Sequence, residues 1–92
     1  MCMKIYLQAR GSYQTLLDLS TWCESNNIER IGLPDHYIVG KQRKDKDKPA
    51  PALDLLTAIA GLVRDTESMI YSVLVSPITF RHPSVLLKMA TT

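Results

Sequence analysis

One stretch of the sequence decides the fold: Leu74-Val75-Ser76-Pro77-Ile78-Thr79-Phe80-Arg81-His82-Pro83. A continuous apolar run, Met69 to Val75, stops at Ser76, and the second proline of the stretch precedes a new apolar run. This pattern predicts a strand buried on both faces of a parallel sheet, a tight loop, and a helix with Pro83 in its first turn. Because α/β proteins bind ligands at the loops that follow parallel strands, we expect a functional site to begin here.

The rest of the chain repeats the same alternation of strand and helix. The predicted elements are a strand at 3–8, a helix that Ser12 caps and Asn26-Asn27 end, a strand at 28–33, a helix from Pro51 to Asp65, the strand at 69–75 and a final helix. Such an order predicts an α/β fold with three neighbouring parallel strands, right-handed crossovers and helices on one side. The pattern does not separate a doubly wound sheet from part of a (β/α)8 barrel.

Length and composition predict one small domain, residues 1–92, with a net charge of +2 and 46% hydrophobic residues. No apolar stretch approaches the ~20 residues of a transmembrane helix, and the N-terminus lacks the apolar core of a signal peptide. The two cysteines, Cys2 and Cys23, have no metal-ligand spacing and favour a reducing compartment. We therefore expect a cytoplasmic protein with no membrane partner.

A polar, basic segment runs from Gly40 to Pro51. Its charges alternate in sign from Lys44 to Lys48, and no aromatic residue lies among them. Runs of this kind are usually solvated. We expect a mobile loop, with a lid over the strand ends as its functional interpretation, and no nucleic-acid partner.

Polar side chains follow all three predicted strands. Gln8 ends the first strand, Asp35 and His36 follow the second, and Ser76 ends the third. Since neighbouring strands lie ~4.8 Å apart, we expect these groups to line one edge of the sheet. A carboxylate and an imidazole at such an edge can transfer protons near neutral pH or bind the polar edge of a ligand. The alternative is that Asp35 caps a loop and His36 is solvated; in either case we expect the two side chains to diverge.

Arg81-His82-Pro83 predicts a helix N-terminus, with His82 near the cap position and Arg81 on the surface. The alternative is an anion site at the helix N-terminus that gives Arg81 a role. A metal bound by Asp35, His36 and His82 has no support from ligand spacing, so we expect no metal site.

Four blocks of the chain carry a resemblance that extends over nearly its whole length. These segments resemble the N-terminal part of the bacterial luciferase-like monooxygenase superfamily, and within it the flavin- or deazaflavin-dependent oxidoreductases. The blocks are Leu33-Pro34-Asp35-His36-Tyr37, Pro51-Ala52-Leu53-Asp54-Leu55-Leu56-Thr57, Ala60-Gly61-Leu62-Val63-Arg64-Asp65-Thr66, and the residues from Leu74 to Ala90.

The resemblance implies a (β/α)8 barrel that binds FMN or coenzyme F-420 at its C-terminal rim and transfers hydride to or from a small-molecule substrate. It places Asp35 and His36 beside the cofactor ring. His36 would transfer a proton or hydrogen-bond to substrate, and Asp35 would set its environment. It also implies a bulge at the end of the third strand, often with a non-prolyl cis peptide, against the back of the ring. The predicted cofactor-binding residues are Val73, Leu74, Val75, Ser76 and Gln8.

A complete barrel has ~250 residues, so the 92 residues of this chain correspond to three of eight βα units. We expect a truncated reading frame or a domain that a partner chain completes, with open strand edges that favour homo- or hetero-oligomers. We expect the chain alone to be inactive and to bind FMN weakly or not at all. The alternatives are a non-catalytic scaffold remnant or assembly subunit, and a receiver-type binding domain. Gln8-Ala9-Arg10 lacks the acidic cluster that a receiver needs.

Overall fold

The computed structural model describes residues 3–36 and 53–92. It contains three strands and three helices in strict alternation: β1 (Tyr6–Gln8), α1 (Tyr13–Ser25), β2 (Arg30–Pro34), α2 (Leu55–Asp65), β3 (Ile70–Val75) and α3 (Pro83–Thr91). The predicted α/β fold and element order are confirmed. The basic segment from Gly40 to Pro51 lies outside the described residues, so what we expect of it stays a prediction.

The three strands form one parallel sheet in the order β1-β2-β3. Tyr6 pairs with Arg30, and Arg30 pairs with Ile70, so the strands start at the same level. Near the carboxyl ends the register shifts, because Leu33 pairs with Val73 whereas Pro34 pairs with Val75. Leu74 therefore has no partner in the ladder, and β3 carries a bulge at its end.

Side-chain caps fix where the helices begin. Ser12 accepts the backbone N–H of Thr15 at the start of α1 (N···O 3.2 Å). At α3, Nδ1 of His82 accepts the backbone N–H of Ser84 (3.3 Å), and Pro83 occupies the first turn. The caps predicted at Ser12 and His82 are confirmed, because capping depends on residues only two or three positions apart.

The hydrophobic core lies on one face of the sheet. Ile31 and Leu33 alternate with Gly32 along β2, so their side chains point to the same face. Helices α1 and α2 cover that face with the remaining members of the buried cluster, Leu16, Cys23, Leu55 and Leu62. Gly32 faces the other side of the sheet, where a methyl group in place of its hydrogen would meet Leu74.

The prediction that β3 is buried on both faces is wrong. Leu74 is 48% exposed and Val75 is 54% exposed. The reason is that β3 is an edge strand of the sheet, and α1 and α2 cover only the face of Ile31 and Leu33. Helix α3 buries none of its residues, so Val85 and Leu87 are also exposed.

Within residues 3–36 and 53–92, no helix combines the length and the apolarity needed to cross a lipid bilayer.

Candidate functional site

The residues predicted to line one edge fall in three places. Asp35 and Ser76 contact each other beyond the ends of β2 and β3. His36 lies in a small cleft with residues from the start of α2. Gln8 lies on the open face of the sheet together with Leu74. The structure thus joins only one pair of the predicted set, Asp35 and Ser76.

Asp35 is the most buried charged residue of this region, with 2% of its surface exposed. Its backbone N–H donates to the carbonyl oxygen of Val75 (N···O 3.0 Å), which continues the ladder between β2 and β3. Its Oδ2 accepts the hydroxyl of Ser76 (3.0 Å) and a guanidinium N–H of Arg81. Two donors from the connection after β3 therefore converge on one carboxylate oxygen at the end of β2.

Arg81 does not lie on the surface, so that prediction is wrong. Only 14% of its side chain is exposed, because the guanidinium lies between two carboxylates. One terminal nitrogen donates to Asp35 and the other donates to Oδ1 of Asp54. These hydrogen bonds raise the pKa of Arg81 above its ordinary value, and the bond to Asp35 has the larger effect. Because two carboxylates already contact its guanidinium, Arg81 gives no support to the alternative of an anion site.

Asp54 is a member of this cluster that the sequence interpretation missed. It caps α2, because its Oδ2 accepts the backbone N–H of Thr57 (3.0 Å) and the hydroxyl of Thr57 (2.7 Å). Burial acts to raise the pKa of Asp54, but the hydrogen bonds from Thr57 and Arg81 outweigh it and hold the pKa below its ordinary value. An aspartate directly before the apolar face of α2 is an N-cap pattern, and that pattern could have identified the residue.

His36 is exposed and points away from this cluster, into a cleft of about 50 Å³. The cleft is lined mainly by apolar side chains, among them Leu33, Leu55 and Ala58. The expected divergence of His36 and Asp35 is confirmed, since neighbouring residues of an extended chain point in opposite directions. Ligand sites for drug-sized molecules are usually ~300 Å³ or larger, so the described walls of this cleft do not enclose a ring system of flavin size.

A second concavity, of about 260 Å³, lies on the open face of the sheet. Its lining residues come from all three strands: Tyr6, Gln8, Arg30, Gly32, Ser72 and Leu74. The guanidinium of Arg30 lies 4.9 Å from the centre of the Tyr6 ring, and its buried Nε meets no acceptor among the described residues. Among the described residues, this concavity, with the bulge residue Leu74 in its lining, is larger than the cleft beside His36.

Metal-ligating and nucleophilic residues do not cluster in the part of the chain that the structure describes. There, no group of three His, Cys, Asp or Glu side chains is arranged to hold a metal ion. Cys23 is a free thiol in the core, and burial raises its pKa. The peptide bonds of residues 3–36 and 53–92 are trans, including those of the bulge.

No family model, no curated protein and no solved structure matches this chain.

Proposed function

We propose that this chain supplies the first three βα units of a (β/α)8 barrel in a luciferase-like oxidoreductase that uses FMN or coenzyme F-420 for hydride transfer. The observation that carries the proposal is the bulge at Leu74. The resemblance implies a bulge at this position, behind the cofactor ring, and a bulge is a specific local feature that often lies next to an active site. The parallel order β1-β2-β3, with each strand next to its successor, is also the order that a barrel requires.

Of the predicted cofactor-binding residues, Gln8 and Leu74 line the same concavity, and this supports a site for a planar aromatic ring there. Val73, Leu74 and Val75 expose apolar surface at the end of β3, and the concavity beside Leu74 has polar groups of Gln8 and Ser72 in its lining. When bound, the cofactor supplies the hydride chemistry. In this proposal the exposed imidazole of His36 transfers a proton to or from the substrate, or orients it by a hydrogen bond. Because His36 lines a different cleft from Leu74, this role requires a substrate that extends from the concavity to that cleft.

A second candidate function is a non-catalytic assembly subunit of the same fold. It is favoured by the apolar surface that β3 and α3 leave exposed, including Ile78 in the connection between them. An open strand edge flanked by apolar side chains is a surface on which further strands or a partner chain can add.

Cofactor titration of the reading frame that contains this chain tests the proposal. The DNA after the Thr92 codon is sequenced, the open frame it encodes is expressed with this chain, and the product is titrated with FMN and with coenzyme F-420. We expect a barrel-length product that retains one of them through gel filtration, whereas the 92-residue chain retains neither. A product of barrel length that binds neither cofactor would contradict the oxidoreductase and leave the assembly subunit. Stoichiometric FMN on the 92-residue chain would contradict the need for the later barrel units.

A further inference from the structure

Three elements of the fold meet at Arg81. The residue belongs to the connection between β3 and α3, Asp35 lies at the end of β2, and Asp54 is the N-cap of α2. The guanidinium contacts both carboxylates through different terminal nitrogens. A rigid planar fork of this kind can hold two acceptors in fixed directions, which a lysine ammonium cannot do.

The carboxylate oxygens of this cluster divide their contacts. Asp54 uses Oδ2 to cap α2 and Oδ1 to accept from Arg81. Asp35 uses Oδ2 for both Ser76 and Arg81. Both donors meet the same oxygen of Asp35, and neutralising this carboxylate would leave the buried guanidinium with a weaker partner.

We infer that Arg81 is a positioning residue that fixes the β3–α3 connection against the ends of β2 and α2, and that Asp35 serves as its anchor and not as a proton-transfer group. The part of this inference that concerns catalysis rests on the proposed function. It revises the role that the resemblance gives to Asp35, because the Asp35 carboxylate contacts Ser76 and Arg81 and the His36 imidazole lies in a separate cleft.

Amide hydrogen exchange of the 92-residue chain tests the anchoring. Two reporters lie in the affected region: the N–H of Asp35, which donates to Val75, and the N–H of Phe80, which donates to the carbonyl oxygen of Pro77. Arg81→Gln should speed exchange at both by about tenfold or more relative to the buried Cys23 in α1, because the connection loses its hold while the core does not. Equal acceleration at all three amides would mean global destabilisation and would overturn the inference.

Lys4→Gln is the matched control. It removes a basic side chain from an exposed ion pair, Lys4 with Glu29 (N···O 3.4 Å), which is remote in sequence from Arg81. If Arg81→Gln does not fold, Arg81→Lys and Asp54→Asn decide the question. The lysine keeps the charge without the fork, and the asparagine keeps an acceptor for the α2 cap while removing the ion pair. Both variants should exchange the amide protons of Asp35 and Phe80 faster than Lys4→Gln does. Equal exchange rates in these variants and in Lys4→Gln would overturn the inference.

The pH dependence of turnover, measured on the product that binds cofactor, tests the part of the inference that concerns catalysis. Asp35→Asn and Arg81→Gln should lower turnover without changing the shape of the profile, Arg81→Lys should recover part of the loss, and His36→Ala should change the shape. A profile that shifts in Asp35→Asn would show that Asp35 takes part in proton transfer and would overturn its role as an anchor. If the product binds no cofactor, the proposed function fails, and the exchange experiment alone decides the role of Arg81.

Discussion

Replacing Gly32 by alanine tests the contact between the central strand and Leu74, the residue of the bulge. Gly32 lies in the central strand, and a Cβ at this position would be 2.7 Å from Cγ of Leu74 and 2.8 and 3.0 Å from its two methyl carbons. Carbon atoms in favourable contact are about 3.5–4.0 Å apart, so the Leu74 side chain must move by roughly 1 Å. Overpacking of this kind costs about 1–3 kcal/mol, and half-exposed Leu74 has room to move outward, which favours the lower end.

The backbone term has the opposite sign. Glycine within a strand is less favourable than alanine by roughly 0.5–1 kcal/mol, because it loses more conformational freedom on folding. Gly32→Ala alone should therefore lower the free energy of unfolding by about 0.5–2 kcal/mol. In a Leu74→Ala background the clash is gone, and the same substitution should be neutral or stabilising by up to about 1 kcal/mol. The sign of the effect should thus depend on Leu74.

Urea unfolding of the four proteins in this cycle measures the coupling between the two positions. Val75→Ala supplies the control, because Val75 is a similarly exposed residue of the same strand that is not among the nearest atoms to the Gly32 position. In that background Gly32→Ala should keep its full cost. Equal costs in the Leu74→Ala and Val75→Ala backgrounds would refute the placement of Leu74 over Gly32, on the face of the sheet where the proposed function puts the cofactor ring.

Three further predictions concern single side chains. The hydrogen bond from Tyr13 to Asp65 raises the pKa of Tyr13 to about 12. This hydrogen bond should contribute fully to stability below pH 10, and its contribution should be lost as the pH rises through about 12. Ultraviolet titration of Asp65→Asn should show the Tyr13 phenol ionising at a lower pH than in the unmodified chain. The pKa of Asp54 is lowered in the folded chain. Asp54 should therefore stabilise the fold above its unfolded pKa of about 3.9, and this contribution should be lost as the pH falls through the lower folded value. In Asp54→Asn the free energy of unfolding should fall less steeply with decreasing pH. In the cofactor-binding product, His36→Ala should reduce turnover by about 10²–10⁴-fold and His82→Ala by far less; steady-state kinetics that rank them the other way would exchange their assignments.

The parts of the fold that the sequence predicts correctly are those set by nearby residues. Three features depend on local backbone preferences: the cap at Ser12, the proline in the first turn of α3, and the end of α1 just before Asn26-Asn27, where Asn27 has a positive φ of 58°. Burial of β3 is not local, because it depends on what lies beside and above the strand. A run of branched apolar residues shows that a strand can be buried, whereas its position in the sheet decides whether it is.

Long-range polar contacts explain why the role of Arg81 could not be predicted. Its two carboxylate partners lie 46 and 27 residues earlier in the chain, and each has a local pattern of its own that gives no indication of Arg81. Asp35 follows a strand and Asp54 precedes a helix. Only the parallel order of the strands, which places the ends of β2 and β3 side by side, brings these residues within reach of one guanidinium.

Asp35 and His36 are neighbours in the sequence, but their side chains have different surroundings. In an extended segment neighbouring side chains point in opposite directions, so a buried contact for Asp35 leaves His36 directed away from that contact, and here the imidazole lines the cleft. A charge buried with a partner is costly to disturb, because removing either member leaves the other unpaired in a poorly solvated environment. A group in that position suits a fixed anchor, whereas an exposed imidazole can exchange protons with solvent and substrate. In the proposed function, proton transfer is therefore assigned to His36, and Asp35 holds the connection after β3 through Ser76 and Arg81.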